Sequence, residues 1–138
     1  MALNDIQLTS GLSVTSGGET YSSTATSSFS SAEDTFECGL KVEQSVTTIE
    51  AVYLGDINLA KEHFIHLRNE NASHHVTVTL HASGSVSTVA GIMRAGESFG
   101  PIRCPVQDAG YPCYKMTSSS GTCKVVVTAG TAGVYVPA

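Results

Sequence analysis

Charge is what this sequence has least of. Asp, Glu, Lys and Arg make up 14% of its 138 residues, against roughly 25% in an ordinary soluble domain. Recognition of phosphate backbones needs clustered Lys or Arg. Seven scattered bases in a chain of net charge −5 supply no such cluster, so neither nucleic acid nor an anionic membrane is an expected partner. Tryptophan is absent, and four Phe and five Tyr are the only aromatics. That leaves little to stack on sugar rings. Tyr111, Tyr114 and Tyr135 are the candidates, and core or interface duty suits them better. No apolar run approaches the roughly 18 to 20 residues of a membrane helix. The opening MALNDIQLTSGLSV has no basic n-region and no long apolar stretch, so no secretory signal is expected. The four cysteines, Cys38, Cys104, Cys113 and Cys123, form no CxxC pair, which excludes a zinc ribbon and a thioredoxin-like site. Thiols are the expectation in a reducing cytosol. If a bridge forms, Cys104–Cys113 across PVQDAGYP is the best pair.

Ser, Thr and Gly stand where the charge is missing. They dominate residues 1–34, a stretch too poor in large apolar side chains to bury much area, which reads as an extended arm that orders on contact. Residues 35–138 read differently. In TFECGLKVE the residues Phe36, Cys38, Leu40 and Val42 alternate with Glu37, Lys41 and Glu43, the period of a half-buried strand. SVTTIEAVYLG is β-branched and aromatic and reads as a second strand. DINLAKE, 56–62, offers Asp56 as cap for a short helix.

HFIHLRNENASHHVTVTLH, residues 63–81, holds all five histidines. Ile65 and Leu67 share one face, as do Val76, Val78 and Leu80, with NENAS between them as turn chemistry. A hairpin pairing Leu67 with Val76 and Ile65 with Val78 would bring both apolar faces together. Strands are expected at 87–93 and 98–104, joined by a tight turn at Arg94-Ala95-Gly96-Glu97. Gly96 would supply the positive φ, and Glu97 would solvate the end of the turn or cap backbone amides. Residues 106–112 read as a loop. YPCYKMT and TCKVVVTA read as a last hairpin, although the simplest register sets Lys115 against Lys124, which is unfavourable. GVYVPA suits a final edge strand. Seven or eight short strands with frequent turn signals predict an all-β antiparallel sandwich, jelly-roll-like, with an extended N-terminal arm.

The chemistry-bearing residues do not converge. A strand-borne metal site wants histidines at i, i+2 on one face. Here His63/His66 and His74/His75 point to opposite faces, and His75 and His81 lie about 20 Å apart along a strand. Only His66 and His75, across the expected hairpin, come close, with no carboxylate beside them. Histidines on a polar face are the plainer expectation. There is no GxSxG elbow, and the acids are too dispersed for a glycosidase pair. Asn71-Ala72-Ser73 fits the glycosylation pattern but serves equally as a turn. No catalytic residue, metal ligand or cofactor is assigned, and a non-enzymatic chain is expected.

One likeness emerges from these residues. FIHLRNENASHHVTVTL, a Gly-containing turn and then IMRAGESFGPIR resemble a pattern in small phage virion proteins. In those a strand ends in Arg-Asn, a valine-rich strand follows, and a later strand ends in Ala-Gly-Glu before a Pro-containing segment. The matching residues are Arg68, Asn69, Val76, Val78, Ala95, Gly96, Glu97 and Pro101, over about 40 residues of the middle. The resemblance implies a β-sandwich that builds part of a virus particle, assembled in the host cytoplasm. Capsid decoration (cement) is its first form, with a head–tail or tail position second. Its partners would be other copies of itself, as a dimer or trimer, and a major capsid or other virion protein. A small carbohydrate-binding module and a cupin-like metalloenzyme around His66 are the rivals from other classes.

Overall fold

Alternation alone decides which side chains of this chain go inside; the connections decide which strands meet. The computed structural model describes residues 4–31, 36–55, 57, 62–83, 86–104 and 114–132. Among them run ten strands and no helix: β1 (Asn4–Ser16), β2 (Glu19–Ser31), β3 (Phe36–Val46), β4 (Glu50–Ala51), β5 (His63–Asn69), β6 (Val76–Ser83), β7 (Val86–Met93), β8 (Ser98–Cys104), β9 (Tyr114–Ser118) and β10 (Cys123–Ala132). β1 and β2 form a two-stranded hairpin. The other strands form two four-stranded antiparallel sheets, in the order β3-β10-β5-β8 (the front sheet) and β4-β9-β6-β7 (the back sheet).

The chain changes sheet at almost every connection. Only β6 and β7 are consecutive and paired within the body. This is the strand order of an eight-stranded jelly roll, the expected fold class. The inner faces supply Val46, Leu67, Val76, Val78, Met93, Met116, Cys123, Val125 and Val127, all fully buried. Each such side chain contributes about 1.5–3 kcal/mol of burial. Leu40, Val42, Phe99 and Ile102 close the margins.

Two expected hairpins are therefore corrected. β5 and β6 do not pair: Ile65 and Leu67 face Val76 and Val78 across the core, from opposite sheets. The apolar pattern is the same in both arrangements, because either one puts these four residues inside. β9 and β10 likewise part into different sheets, which removes the clash of like charges. Lys115 sits opposite Thr79 and Ala51, and Lys124 lies 3.4 Å from Glu43. The β7–β8 turn has Gly96 at φ 76, as expected, and Glu97 Oε1 accepts from Arg94 N at 2.7 Å. Its flanking strands nonetheless belong to different sheets. The second expected strand shrinks to Glu50–Ala51, followed by buried Val52 and Leu54. In the expected helix, Asp56 and residues 58–61 lie outside the described residues, as do the 106–112 loop and the tail from 133.

The N-terminal arm folds back on itself. Ser16 pairs with Glu19 around Gly17 and Gly18, at φ 60 and 82. Two positive φ values in a two-residue loop match the right-handed strand twist. Thirteen residue pairs then run without interruption to Asn4–Ser31.

Candidate interaction surfaces

Four connections between the sheets, β3–β4, β5–β6, β7–β8 and β9–β10, gather at one end of the sandwich. Asn69 ties two of them, β5–β6 and β7–β8, together. Its side chain is fully buried. Nδ2 donates to His74 O (2.9 Å) and Met93 O (3.0 Å), and Oδ1 accepts from Asn71 N (3.0 Å). Its backbone exchanges bonds with the next crossover, Asn69 N to Glu97 O and Gly96 N to Asn69 O, both at 2.9 Å. Asn71 Oδ1 accepts from Ser73 N and His74 N at 2.8 Å. Glu70 N donates to Lys124 O, and Ser119 N to His75 O. At the edge, the Gln44 amide grips the β4 segment, donating to Ala51 O and accepting from Tyr53 N, both at 2.9 Å. Asn69, Gly96 and Glu97, three residues of the phage-like pattern, thus meet in one backbone clamp. Their work here is architectural.

The histidines scatter. His63 is fully buried on the core side of β5, which corrects the expectation that the group lies on a polar face. His66 points outward from the same strand and is half-buried. Burial, and then the charge of Arg68, lower its pKa from the usual 6.5. His75 precedes β6 in the other sheet, so His66 and His75 are not hairpin neighbours. His74 and His75 are half-buried in the crossover, where His75 N donates to Ser119 Oγ at 3.1 Å. The His81 side chain lies outside the described residues. Among the described residues no three His, Cys, Asp or Glu side chains come together. Cys104 and Cys123 are buried, the latter 3.2 Å from Ser118 Oγ. Cys113 falls outside the described residues, and so does its expected pairing. Tyr114 is buried and meets Phe99 edge to face at 5.2 Å. Tyr111 and Tyr135 lie outside the described residues.

His66 lines a groove of about 460 Å³ between β1 and the outer face of the front sheet. Gln7, Leu8 and Thr9 form one wall, and Phe64, Pro101 and Thr128 lie on the other. Arg103 covers Phe64, its guanidinium carbon 4.6 Å from the ring centroid, and reaches Glu62 at 3.2 Å.

Beyond the groove the hairpin projects into solvent with two unlike faces. Directly paired residues share a face. Gln7, Thr9, Gly11, Ser13 and Thr15 pair with Ser28, Thr26, Thr24, Ser22 and Thr20, all polar or glycine. Leu12 pairs with Ser23 and Val14 with Tyr21 on the opposite face. There Leu12 is 69% exposed and Tyr21 60%. The sequence offers a strand or two as an alternative to the extended arm, but their closing into a hairpin with unlike faces was missed. Its signal was present: Gly17-Gly18 between two runs of period two is a hairpin turn.

Compared with protein-family models, curated proteins and solved structures, the chain matches none of them.

Proposed function

We propose that this protein is a non-enzymatic structural component of a virus particle. A capsid decoration role stands first, with a head–tail or tail-associated position second. The observation that carries the reading is the amphipathic hairpin held out from the jelly-roll body, with Leu12, Val14 and Tyr21 exposed on one face. A two-stranded hairpin is marginal alone in water, so this one gains its stability from a surface that covers it. A shell offers such a surface many times over, and many weak copies of one contact stabilise a lattice. The jelly roll is common among capsid domains, a support by analogy of fold only. The phage-like segment adds to it.

The test is recruitment. Full-length protein should co-sediment with particles purified from the host lysate. A form lacking residues 1–34 should keep the body's thermal transition and fail to co-sediment. Normal incorporation of the truncated form would remove the hairpin from the mechanism, and absence of the full chain from particles would end the reading. Tyr53, also exposed, favours a second reading as a carbohydrate-binding module, for which binding on a glycan array is the deciding measurement.

A further inference from the structure

A sheet edge is a row of unpaired backbone donors and acceptors, and folded proteins blunt such rows with charge, proline, bulges or brevity. Among the described strands, three of the four body edges are blunted by charge, proline or brevity. β3 presents Lys41 and Glu43 to solvent. β8 carries Pro101, which has no N–H, beside Gly100 in a bulge opposite His66. β4 is two residues long. β7, the outermost strand of the back sheet, is different. Its sequence, VSTVAGIM, has neither charge nor proline. Its ladder with β6 has two register shifts, a bulge at Ala90, where Val78 pairs with Gly91 and Thr79 with Val89, and a second between His81 and Ser83. A bulge is thus the one blunting device this edge carries. Residues three apart on a regular strand face opposite ways. The extra residue resets the parity, and Val89 and Ile92 both emerge in solvent, 63% and 51% exposed.

The hairpin has the matching character. Residues 6–18 and 20–31 contain no charged side chain, and among the described strands neither β1 nor β2 pairs with a third. We propose that β7 is the acceptor edge for the hairpin of a second copy of this chain. The exchange is reciprocal about a two-fold axis, with Leu12, Val14 and Tyr21 of each hairpin covering Val89 and Ile92 of the other body. Area decides for reciprocity. Interface residues bury about 30 to 40 Å² each, and a specific interface needs about 1,000 Å² in total. One strand laid along the eight residues of β7 supplies about half of that, and two such contacts reach it. A strand of thirteen residues spans about 40 Å, long enough to reach past its own body. The proposal goes beyond the virion reading and concerns the free protein: it assigns to a second copy the face that the virion reading assigns to the shell, so on a particle one cover would replace the other.

The experiment is native mass spectrometry and light scattering of the full chain, with hydrogen exchange read at dimeric and monomeric concentrations. A dimer is expected, with the amides of β7 and of the hairpin protected together as it forms. Val89→Lys and Leu12→Lys, both at exposed positions, should each weaken dimerisation at least tenfold while keeping the monomer's thermal transition. Ile49→Lys, equally exposed on the β3–β4 crossover, should leave the dimer unchanged. A monomer at millimolar concentration, a trimer, or a dimer indifferent to Val89→Lys would overturn the proposal.

Discussion

Asn69 and Met93, 24 residues apart, are joined by one hydrogen bond of 3.0 Å from a fully buried amide to a backbone carbonyl. That bond ties the β5–β6 crossover to the β7–β8 crossover. Removing the amide strands three backbone groups at once: His74 O, Met93 O and Asn71 N. Each buried polar group left unmade costs about 1–3 kcal/mol. Asn69→Ala should therefore destabilise the protein by about 3 kcal/mol or more in urea unfolding. Asn71→Ala, nearer the surface, should cost less.

Gly100 has φ +98, and a Cβ added there would sit 2.7 Å from Ile65 O. Backbone oxygen on a central segment cannot step aside as a flexible side chain would. Gly100→Ala should lower stability by about 1–3 kcal/mol from the backbone conformation alone, with the contact adding to it. Gly96, where a Cβ would meet nothing within 4 Å, should tolerate alanine better. Thermal unfolding of the two variants side by side measures the difference.

His66 makes stability depend on pH. Its folded pKa lies below 6.5, from burial first and Arg68 second. The unfolded chain therefore binds the proton more readily. Stability rises with pH wherever the unfolded state holds more protons. The contribution is present at pH 7, falls as the pH drops through about 6.5, and stops falling below the folded pKa. Urea midpoints from pH 7.5 to 5 should show this decline, and His66→Gln should flatten part of it. An unchanged slope in the variant would assign the dependence elsewhere.

Gly18 has φ +82 with open space around its α-carbon, so a substitution there acts through the backbone alone. The left-handed conformation costs a non-glycine residue about 1–2 kcal/mol. In a hairpin held by one turn and one ladder, that is enough to matter. Gly18→Val should leave the body's thermal transition in place and raise amide exchange along β1 and β2. The two-fold dimer should weaken with it.

Most of the apolar core was legible from the sequence, and which strands pair was not; Leu80, grouped with Val76 and Val78, stands exposed, and His63 is buried. Val76, Val78 and Leu80 alternate with His75, Thr77 and Thr79, and the strand is there. Residues 98–104 gave a strand whose limits match β8. Alternation says that a side chain goes inward, however, and is silent on the sheet from which it does so. Ile65 and Leu67 satisfy the same pattern beside β6 or across from it. The like charges of Lys115 and Lys124 were the one local hint that a hairpin was wrong. Asn69 was hidden differently. NENAS is turn chemistry by composition, and only the closing of the β7–β8 crossover over it turns one of its residues into a buried amide.

The last described strand lies in the middle of its sheet. β10 runs between β3 and β5 and is the hydrogen-bonded neighbour of both. During synthesis β3 and β5 therefore lack their shared partner until about a hundred further residues have followed the hairpin. At about 5–20 residues per second that is on the order of ten seconds. The hairpin's pairing partners both lie within the first 31 residues, and its ladder closes in about 1–10 microseconds, although alone it is marginal. On the ribosome its uncharged edges are thus presented long before the body, and the β7 edge with it, exists. Pairing of a hairpin with the β7 edge of another copy therefore waits on the folding of that copy's body.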